Sequence, residues 1–147
     1  MKAVIQRVAQ AEVRVAGEVV GTIGRGLLVL LGIATADSEV EVAALAEKTC
    51  FLRIFEDIEG KMNHSVQEVN GSVLVVSNFT VMADAQRGRR PSFEGAAPPD
   101  RAEDLYALFV RRVTALGVPV ATGRFGANMQ VSLVNDGPVT ILLDTAR

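Results

Sequence analysis

Residue types that commonly build catalytic centres are scarce in this sequence. The chain of 147 residues contains one cysteine and one histidine. A single cysteine excludes an internal disulfide framework and a cysteine-rich zinc site, and a single histidine excludes every motif that requires two. Tryptophan is absent and aromatic residues make up 5% of the chain, so we expect an aliphatic core. The sequence predicts neither a metal nor a cofactor.

The chain also lacks a strong charge imbalance and a long apolar run. Its formal net charge is −2, which excludes a broadly basic surface, so any polyanion must be bound by a local patch. The longest uncharged apolar run, residues 26–34, is shorter than the roughly 18 residues that a membrane span requires. Gln6 and Arg7 interrupt the N-terminal apolar run too early for a signal peptide. We expect a cytoplasmic protein that makes no contact with a membrane.

Length and apolar patterning predict one domain over residues 1–147 with a fold rich in strands. Residues 72–79 form a nearly continuous apolar run, which is typical of a strand buried on both faces. We expect an α/β fold of the α+β-like kind, with a mixed β-sheet or β-barrel and two packed helices. The predicted strands are residues 2–8, 11–16, 18–23, 27–33, 72–79, 118–122, 129–135 and 139–143.

Two helices are predicted from their first residues and their apolar spacing. The first begins near Ser38, because Ser38 and Glu41 have the spacing of a capping box. The second begins at Asp100 and ends at Gly117. The residues expected to face the sheet are Val42, Leu45, Ala46, Thr49 and Leu52 in the first helix and Leu105, Leu108, Phe109, Val113 and Leu116 in the second.

The single histidine and the single cysteine both have ordinary structural interpretations. His64 lies in a polar stretch that predicts a turn, where a solvated side chain is more common than a ligand. Cys50 follows Ala46 by four residues, near the apolar stripe of the first helix, which favours a buried thiol over a reactive one. We therefore do not expect a hydrolase that depends on histidine or on a metal.

Polar residues end the apolar run at Ser77-Asn78-Phe79-Thr80. Polar groups at the end of a buried strand often line a site in an α/β protein. The alternative is an ordinary strand terminus, where hydroxyl groups hydrogen-bond to the main chain. The residues alone favour this alternative.

A second motif, Asn135-Asp136-Gly137-Pro138, separates two predicted strands. Asp-Gly is a strong hairpin signal, so a plain turn is the natural interpretation. Only about 5–6% of X-Pro bonds are cis, and the residues alone therefore do not predict a cis bond between Gly137 and Pro138.

The third motif, Arg87-Gly88-Arg89-Arg90-Pro91, is a local basic cluster. Guanidinium groups bind phosphate through paired hydrogen bonds, which makes the cluster a candidate anion site. A solvated loop explains it equally well.

Together these segments resemble the D-aminoacyl-tRNA deacylase family almost from end to end. Residues 135–140, Asn-Asp-Gly-Pro-Val-Thr, match one signature of that family in full, and residues 122–126, Thr-Gly-Arg-Phe-Gly, are a second strong match. The family's other signature is usually Ser-Gln-Phe-Thr, and this chain has Asn78 in place of the glutamine. Further matching segments are residues 4–8, 26–32, 52–57 and 88–93.

The resemblance implies an enzyme that hydrolyses the ester between tRNA and a D-amino acid or achiral glycine, releasing free amino acid and tRNA. It implies a homodimer with shared active sites. Ser77, Asn78, Phe79 and Thr80 would form the floor of each site, and Gly137 and Pro138, joined by a cis bond, would reach in from the other subunit. The resemblance gives Arg7 a role in supporting that motif and places Phe125 and Met129 near the terminal adenosine of the tRNA 3′ end. Arg87, Arg89 and Arg90 are the candidate contacts to tRNA phosphates.

This function suits a chain with few ionisable catalytic residues. An aminoacyl ester is already activated, so substrate positioning and main-chain N–H groups near Phe79 and Thr80 can stabilise the oxyanion. Thr80 and the ribose 2′-hydroxyl are both candidates to assist the attack. Two other classes stay open: a hydrolase of small acyl esters, which dependence on tRNA would separate, and a non-catalytic RNA-binding module, against which the net charge of −2 argues.

Overall fold

Residues 1–146 are described by a computed structural model, and strands predominate among them. Two α-helices pack on the sheet through one buried face each. In chain order the elements are β1 (Lys2–Val15), β2 (Glu18–Ile23), β3 (Gly26–Gly32), α1 (Glu39–Phe51), β4 (Phe55–Glu56), β5 (Met62–His64), β6 (Ser72–Ser77), a 3-10 helix (Phe79–Met82), α2 (Pro99–Ala115), β7 (Val120–Thr122) and β8 (Gln130–Asp144).

Six of these strands form one mixed sheet around β1. Along one edge β1 pairs with β2 and β3, and along the other it pairs with β8, always antiparallel. β3 pairs in parallel with β6, and β6 in parallel with β7. Gly21 of β2 packs on Thr122 of β7 so closely that an added Cβ would lie 2.2 Å from the Thr122 carbonyl oxygen. The two ends of the sheet therefore meet, and the predicted mixed sheet is nearly closed into a barrel.

β3 and β6 are buried on both faces, which explains their continuous apolar sequences. Leu27 and Val73 belong to the core cluster that includes residues of both helices. Leu28 and Leu74 belong to a second cluster, inside the curled sheet. The predicted strand over residues 72–79 is confirmed as far as Ser77, and the chain then turns into the 3-10 helix, which the sequence did not indicate.

Two pairs of predicted strands are in fact one long strand each. β1 joins the predicted strands at 2–8 and 11–16 and ends at Val15, and β8 joins those at 129–135 and 139–143 and begins at Gln130. These predictions are wrong because β1 and β8 pair with each other along nearly their whole length. The residues that interrupt the alternation of apolar and polar side chains do not form turns. They are accommodated by shifts of the β1–β8 register near Val8.

Residues 136–139, hereafter the Gly-Pro segment, bulge out of β8. Asn135 pairs with Val8 and Thr140 pairs with Gln6, so the whole segment stands opposite Arg7 alone. An insertion of this kind bends the strand and re-aims the residues that it carries. The hairpin interpretation of Asp-Gly is therefore wrong, since β8 keeps its direction and its partner strand on both sides of the bulge.

Both helices begin close to the predicted residues. The capping box is confirmed: Ser38 Oγ accepts the Val40 N–H at 3.3 Å, and Glu41 Oε2 accepts the Ser38 N–H at 2.7 Å. α2 begins at Pro99, one residue before Asp100, and it has no side-chain cap. Proline suits the first helical position because the N–H that it lacks would have no partner there. The predicted stripes face the core, with partial burial only at Leu52, Leu108 and Leu116.

The hairpin of β4 and β5 was missed because its strands are too short to show an apolar period. Its turn is closed by Asp57 Oδ1, which accepts the N–H groups of Glu59 and Lys61 at 2.9 and 3.0 Å. His64 lies in β5 rather than in the predicted turn, and its Nδ1 is 3.3 Å from a carboxylate oxygen of Glu68. Cys50 is 1% exposed, which confirms the predicted buried thiol.

Candidate active site

A cavity of about 1020 Å³ opens where β6 ends. Residues 77–80, hereafter the floor segment, line it together with Phe125 and Met129 from the loop before β8. Gln6 of β1 and Phe93 also line it, although neither was predicted from the sequence as a site residue. The fold thus brings together residues from four distant parts of the chain. Gln6 interrupts the apolar run Ala3-Val4-Ile5 of β1, and this is the only local signal that marks it.

The floor segment turns sharply because Asn78 caps the 3-10 helix. The Asn78 N–H donates to the Leu31 carbonyl at 2.9 Å, which ties the segment to the end of β3. Its side-chain oxygen Oδ1 accepts the Thr80 N–H at 3.2 Å and the Thr80 hydroxyl at 2.6 Å. The short asparagine side chain is therefore engaged within the segment itself.

The main-chain donors of the floor segment differ in availability. The Thr80 N–H is held by Asn78, whereas the Phe79 N–H has no acceptor within residues 1–146. Phe79 and Thr80 are both exposed at the cavity. A free N–H at this position can donate to a developing oxyanion, so Phe79 is the better main-chain donor of the two.

No ionisable side chain lines the cavity among the residues that the structure describes. Apolar side chains, Ser77, Thr80 and the carboxamides of Gln6, Asn78 and Asn128 make up its walls. A nucleophilic hydroxyl requires a neighbouring base, and a general base must lie within hydrogen-bond reach of the proton that it removes. The Thr80 hydroxyl instead donates to a neutral amide oxygen, so the cavity is suited to binding and polarising a substrate rather than to acid–base catalysis.

Two buried groups of the core, Tyr106 and Cys50, are held in their neutral forms. The Tyr106 hydroxyl donates to the Val75 carbonyl at 2.9 Å, beneath the floor segment, and burial raises the pKa of Tyr106 to about 12. Burial likewise raises the pKa of the Cys50 thiol to about 11. A thiol with this pKa is protonated at neutral pH, and Cys50 is therefore a packing residue and not a nucleophile.

Arg7, which stands opposite the Gly-Pro segment in β1, holds that segment in place. Its guanidinium is buried, with Nε donating to the Asp136 carbonyl and Nη1 to the Ile54 carbonyl, both at 2.8 Å. Asn135 holds the other end of the segment, because its Oδ1 accepts the Val139 N–H at 2.8 Å and its Nδ2 donates to the Val139 carbonyl at 3.2 Å. The segment is thus fixed at both ends.

Gly137 and Pro138 are exposed, and the bond between them is cis. Neither residue lines the cavity of its own chain, so a single chain does not bring them together with the floor segment. Gly137 has no room for a side chain, because a Cβ would lie 2.4 Å from the Val139 nitrogen and 2.7 Å from Val139 Cγ2.

Three candidate phosphate ligands lie on a closed loop beside the cavity. Asp84 and Ser92 exchange two main-chain hydrogen bonds of 2.8 Å, which close residues 85–91, hereafter the arginine loop. Arg87, Arg89 and Arg90 are exposed on this loop, and none forms an ion pair within the described residues. They do not line the cavity, but the loop leads directly into Phe93, which does.

Neither a metal cluster nor a membrane-spanning helix occurs among residues 1–146. No three side chains of histidine, cysteine, aspartate or glutamate converge in that part of the chain. Neither α1 nor α2 is long and apolar enough to cross a membrane.

Known proteins resemble this chain over its full length. The model of the D-Tyr-tRNA(Tyr) deacylase family matches residues 4–144. The D-aminoacyl-tRNA deacylase of Roseiflexus sp. (strain RS-1) is 61% identical over 146 residues, which are 99% of this chain and 94% of the relative. That of Symbiobacterium thermophilum is 57% identical and covers 100% of this chain and 97% of its own.

Two solved structures share the fold. The c-Myc DNA unwinding element binding protein has a TM-score of 0.94 at 42% identity, with 99% of both chains covered. A structure described as a probable eukaryotic D-amino acid tRNA deacylase has a TM-score of 0.82 at 17% identity, with 97% of both chains covered, and this second likeness concerns the fold alone.

The fold and the cavity define an α/β protein whose site is shaped by main chain and apolar side chains at the end of a buried strand. The chain belongs to the D-Tyr-tRNA(Tyr) deacylase family, and the resemblance predicted from its motifs is confirmed.

Proposed function

We propose that the protein hydrolyses the ester bond of D-aminoacyl-tRNA and releases a free D-amino acid and tRNA. The observation that carries this proposal is a large cavity lined without ionisable side chains, with a free main-chain N–H at Phe79. Such a cavity suits a substrate whose ester is already reactive. Membership of the deacylase family supports the same reaction.

The reaction needs only water and oxyanion stabilisation from the chain. Water adds to the ester carbonyl carbon, the bond to the ribose 3′ oxygen breaks, and the proton from water passes to that oxygen. The Phe79 N–H donates to the carbonyl oxygen as its charge develops. With no base beside Thr80, the neighbouring ribose 2′-hydroxyl is the better candidate to assist the attack.

The terminal adenosine occupies the side of the cavity near Phe125 and Met129. The Phe125 ring lies 5.8 Å from the Tyr106 ring, which holds it against the buried side of the fold. Met129 Sδ accepts the Arg124 N–H at 3.4 Å, which orders the loop between them. An apolar surface of this kind suits a nucleobase and leaves the aminoacyl ester over the floor segment.

Chiral selection requires a rigid group that sterically excludes the side chain of an L-amino acid. The Gly-Pro segment is exposed, is fixed by Arg7 and Asn135, and lies away from the cavity of its own chain. We therefore assign it to the cavity of a second subunit in a homodimer, where its carbonyl groups collide with an L side chain. Achiral glycine carries no such side chain, so glycyl-tRNA is also a substrate.

The arginine loop contacts phosphates of the tRNA. Arg87, Arg89 and Arg90 are free of ion pairs within residues 1–146, so their guanidinium groups are available to an external anion. Because aminoacyl-tRNA is used in translation, we assign the reaction to the cytoplasm.

One assay tests the proposal. D-Tyr-tRNA and L-Tyr-tRNA are incubated with the protein side by side, with and without EDTA. We expect rapid loss of the D ester, persistence of the L ester, and no effect of the chelator. Equal hydrolysis of both esters, or hydrolysis of small acyl esters without dependence on tRNA, would contradict it. Loss of activity in EDTA with recovery on adding zinc would contradict the metal-free reaction.

Mixed dimers test whether the site is shared. Gly137→Ala disrupts the Gly-Pro segment, and Ala127→Trp fills part of the cavity. If each site combines the cavity of one subunit with the segment of the other, each heterodimer has one intact site. An equal mixture of the two impaired variants then gains about a quarter of the wild-type activity above their own residual rates. A mixture that gains no activity, although heterodimers form, would contradict a site shared between the two subunits.

A further inference from the structure

Two of the exposed apolar side chains are phenylalanines that touch each other at the cavity. Phe79 is 60% exposed and Phe93 is 36% exposed. Their ring centroids are 5.1 Å apart, with the planes at 67°, which is an edge-to-face contact. Both rings line the cavity, Phe79 from the floor segment and Phe93 from the end of the arginine loop. This Phe79–Phe93 pair is a preformed aromatic surface that no other part of the described chain covers.

Positive charge lies close to the pair along the chain. Phe93 follows Ser92, the residue that closes the arginine loop, and Arg90 precedes Phe93 by three residues. Three residues of extended chain span at most about 11 Å, so the Arg90 backbone is within side-chain reach of the pair. The chain, whose net charge is −2, therefore carries three arginines within six residues of Phe93, and none of them forms an ion pair within residues 1–146.

We propose that the Phe79–Phe93 pair is a stacking site for a nucleobase of the single-stranded tRNA 3′ end, adjacent to the terminal nucleotide. Aromatic rings bind single-stranded nucleic acid by stacking on bases, and neighbouring arginines bind its backbone. The free arginines favour this polyanion over a neutral protein surface as the occupant. This proposal rests on the proposed function. In it, the Phe79–Phe93 pair binds the tRNA, whereas the rest of the cavity binds the aminoacyl adenosine.

Phe93 is the residue to test, because Phe79 belongs to the floor segment. The variants are Phe93→Leu, which keeps an apolar side chain without a ring, and Phe93→Tyr, which keeps the ring. Phe51→Leu is the matched control, because Phe51 is 53% exposed and does not line the cavity. Each is assayed with D-Tyr-tRNA and with the short ester D-tyrosyl-adenosine.

For Phe93→Leu we expect KM for the tRNA substrate to rise about tenfold relative to KM for the short ester, since loss of one base stack lowers affinity by about 5- to 150-fold. Phe93→Tyr and Phe51→Leu keep the wild-type ratio. Arg89→Ala combined with Arg90→Ala lowers the slope of affinity against salt concentration, because fewer phosphates are neutralised.

The outcomes separate the possibilities. An unchanged KM ratio in Phe93→Leu, or an equal loss on both substrates, overturns the stacking site, and the second result makes Phe93 part of the cavity wall. A rise in the dimer dissociation constant with no change in KM makes the pair a contact between two copies of the chain and also overturns it. If the wild-type protein hydrolyses neither substrate, the proposed function itself fails.

Discussion

Asn78 Oδ1 lies 2.6 Å from the Thr80 hydroxyl and 3.2 Å from the Thr80 nitrogen, so one side chain holds both polar groups of Thr80. The same contact leaves the Phe79 N–H as the unoccupied donor of the floor segment. The Asn78 side chain therefore does more than replace a longer glutamine, because it fixes the polar groups of Thr80 at the cavity.

Replacing Asn78 tests this organising role. Asn78→Ala removes the cap of the 3-10 helix, and we expect a loss of about 1 kcal/mol of stability together with a lower kcat. Asn78→Ser keeps a capping oxygen and retains most of both. Urea unfolding and single-turnover deacylation give the two quantities. If Asn78→Ala keeps the wild-type kcat, the cap is not required for catalysis.

Phe79→Pro removes the proposed oxyanion donor. Proline suits this position, since it is the first residue of the 3-10 helix and Asn78 before it has an extended backbone. We expect kcat to fall by about 10²–10³, the usual effect of losing one oxyanion donor. Phe79→Ala also removes the ring but keeps the N–H, and it serves as the control. Similar rates in the two variants would show that the N–H does not contribute.

Thr80→Ala retains substantial activity. The Thr80 hydroxyl donates to a neutral amide and has no base beside it, so we expect kcat to decrease by less than about tenfold, well below the effect of losing an oxyanion donor. Mass spectrometry of the wild-type enzyme, quenched during turnover, is the independent measurement. An acyl group trapped on Thr80 would establish it as the nucleophile instead.

Gly137→Ala displaces the Gly-Pro segment. The added Cβ would lie 2.4 Å from the Val139 nitrogen, which the main chain must relieve by moving. We expect discrimination between D and L esters to decrease and deacylation to slow, while far-ultraviolet circular dichroism stays unchanged. Gly24→Ala is the control, because no atom lies within 4 Å of its added Cβ. Equal D/L selectivity in the two variants would show that the Gly-Pro segment does not contribute to chiral selection.

Alkaline pH weakens the fold through two buried groups. Burial raises the pKa of Cys50 from 9.0 to about 11 and the pKa of Tyr106 from 10.0 to about 12. The unfolded chain therefore releases these protons at lower pH than the folded protein does. The stability is complete below about pH 9 and decreases as the pH rises through 11 and 12. Urea unfolding along a pH series measures this loss, and Cys50→Ala reduces its first part. Constant stability up to pH 11 would contradict the assignment.

Local signals in the sequence were sufficient for much of the fold. The capping box at Ser38 and Glu41 depends on residues three apart, and it was located correctly. The continuous apolar run of β6 predicted burial on both faces, because every side chain must then meet an apolar neighbour. The lengths of β1 and β8 were wrong, because a strand continues through an irregular stretch only when its partner strand continues alongside it.

Composition and motifs alone established that no cysteine framework and no two-histidine centre exists, and they identified the family. The family resemblance, and not the residues alone, then selected residues 77–80 and Gly137-Pro138 as candidate site residues. Contacts between distant residues settled the remainder: Arg7 binds carbonyl groups 129 and 47 residues away in the chain. Within residues 1–146, such contacts also determine that the Phe79 N–H is free, that the Phe79 and Phe93 rings touch, and that the cavity wall is uncharged. Tertiary packing brings these groups together, and their spacing along the chain does not reveal it.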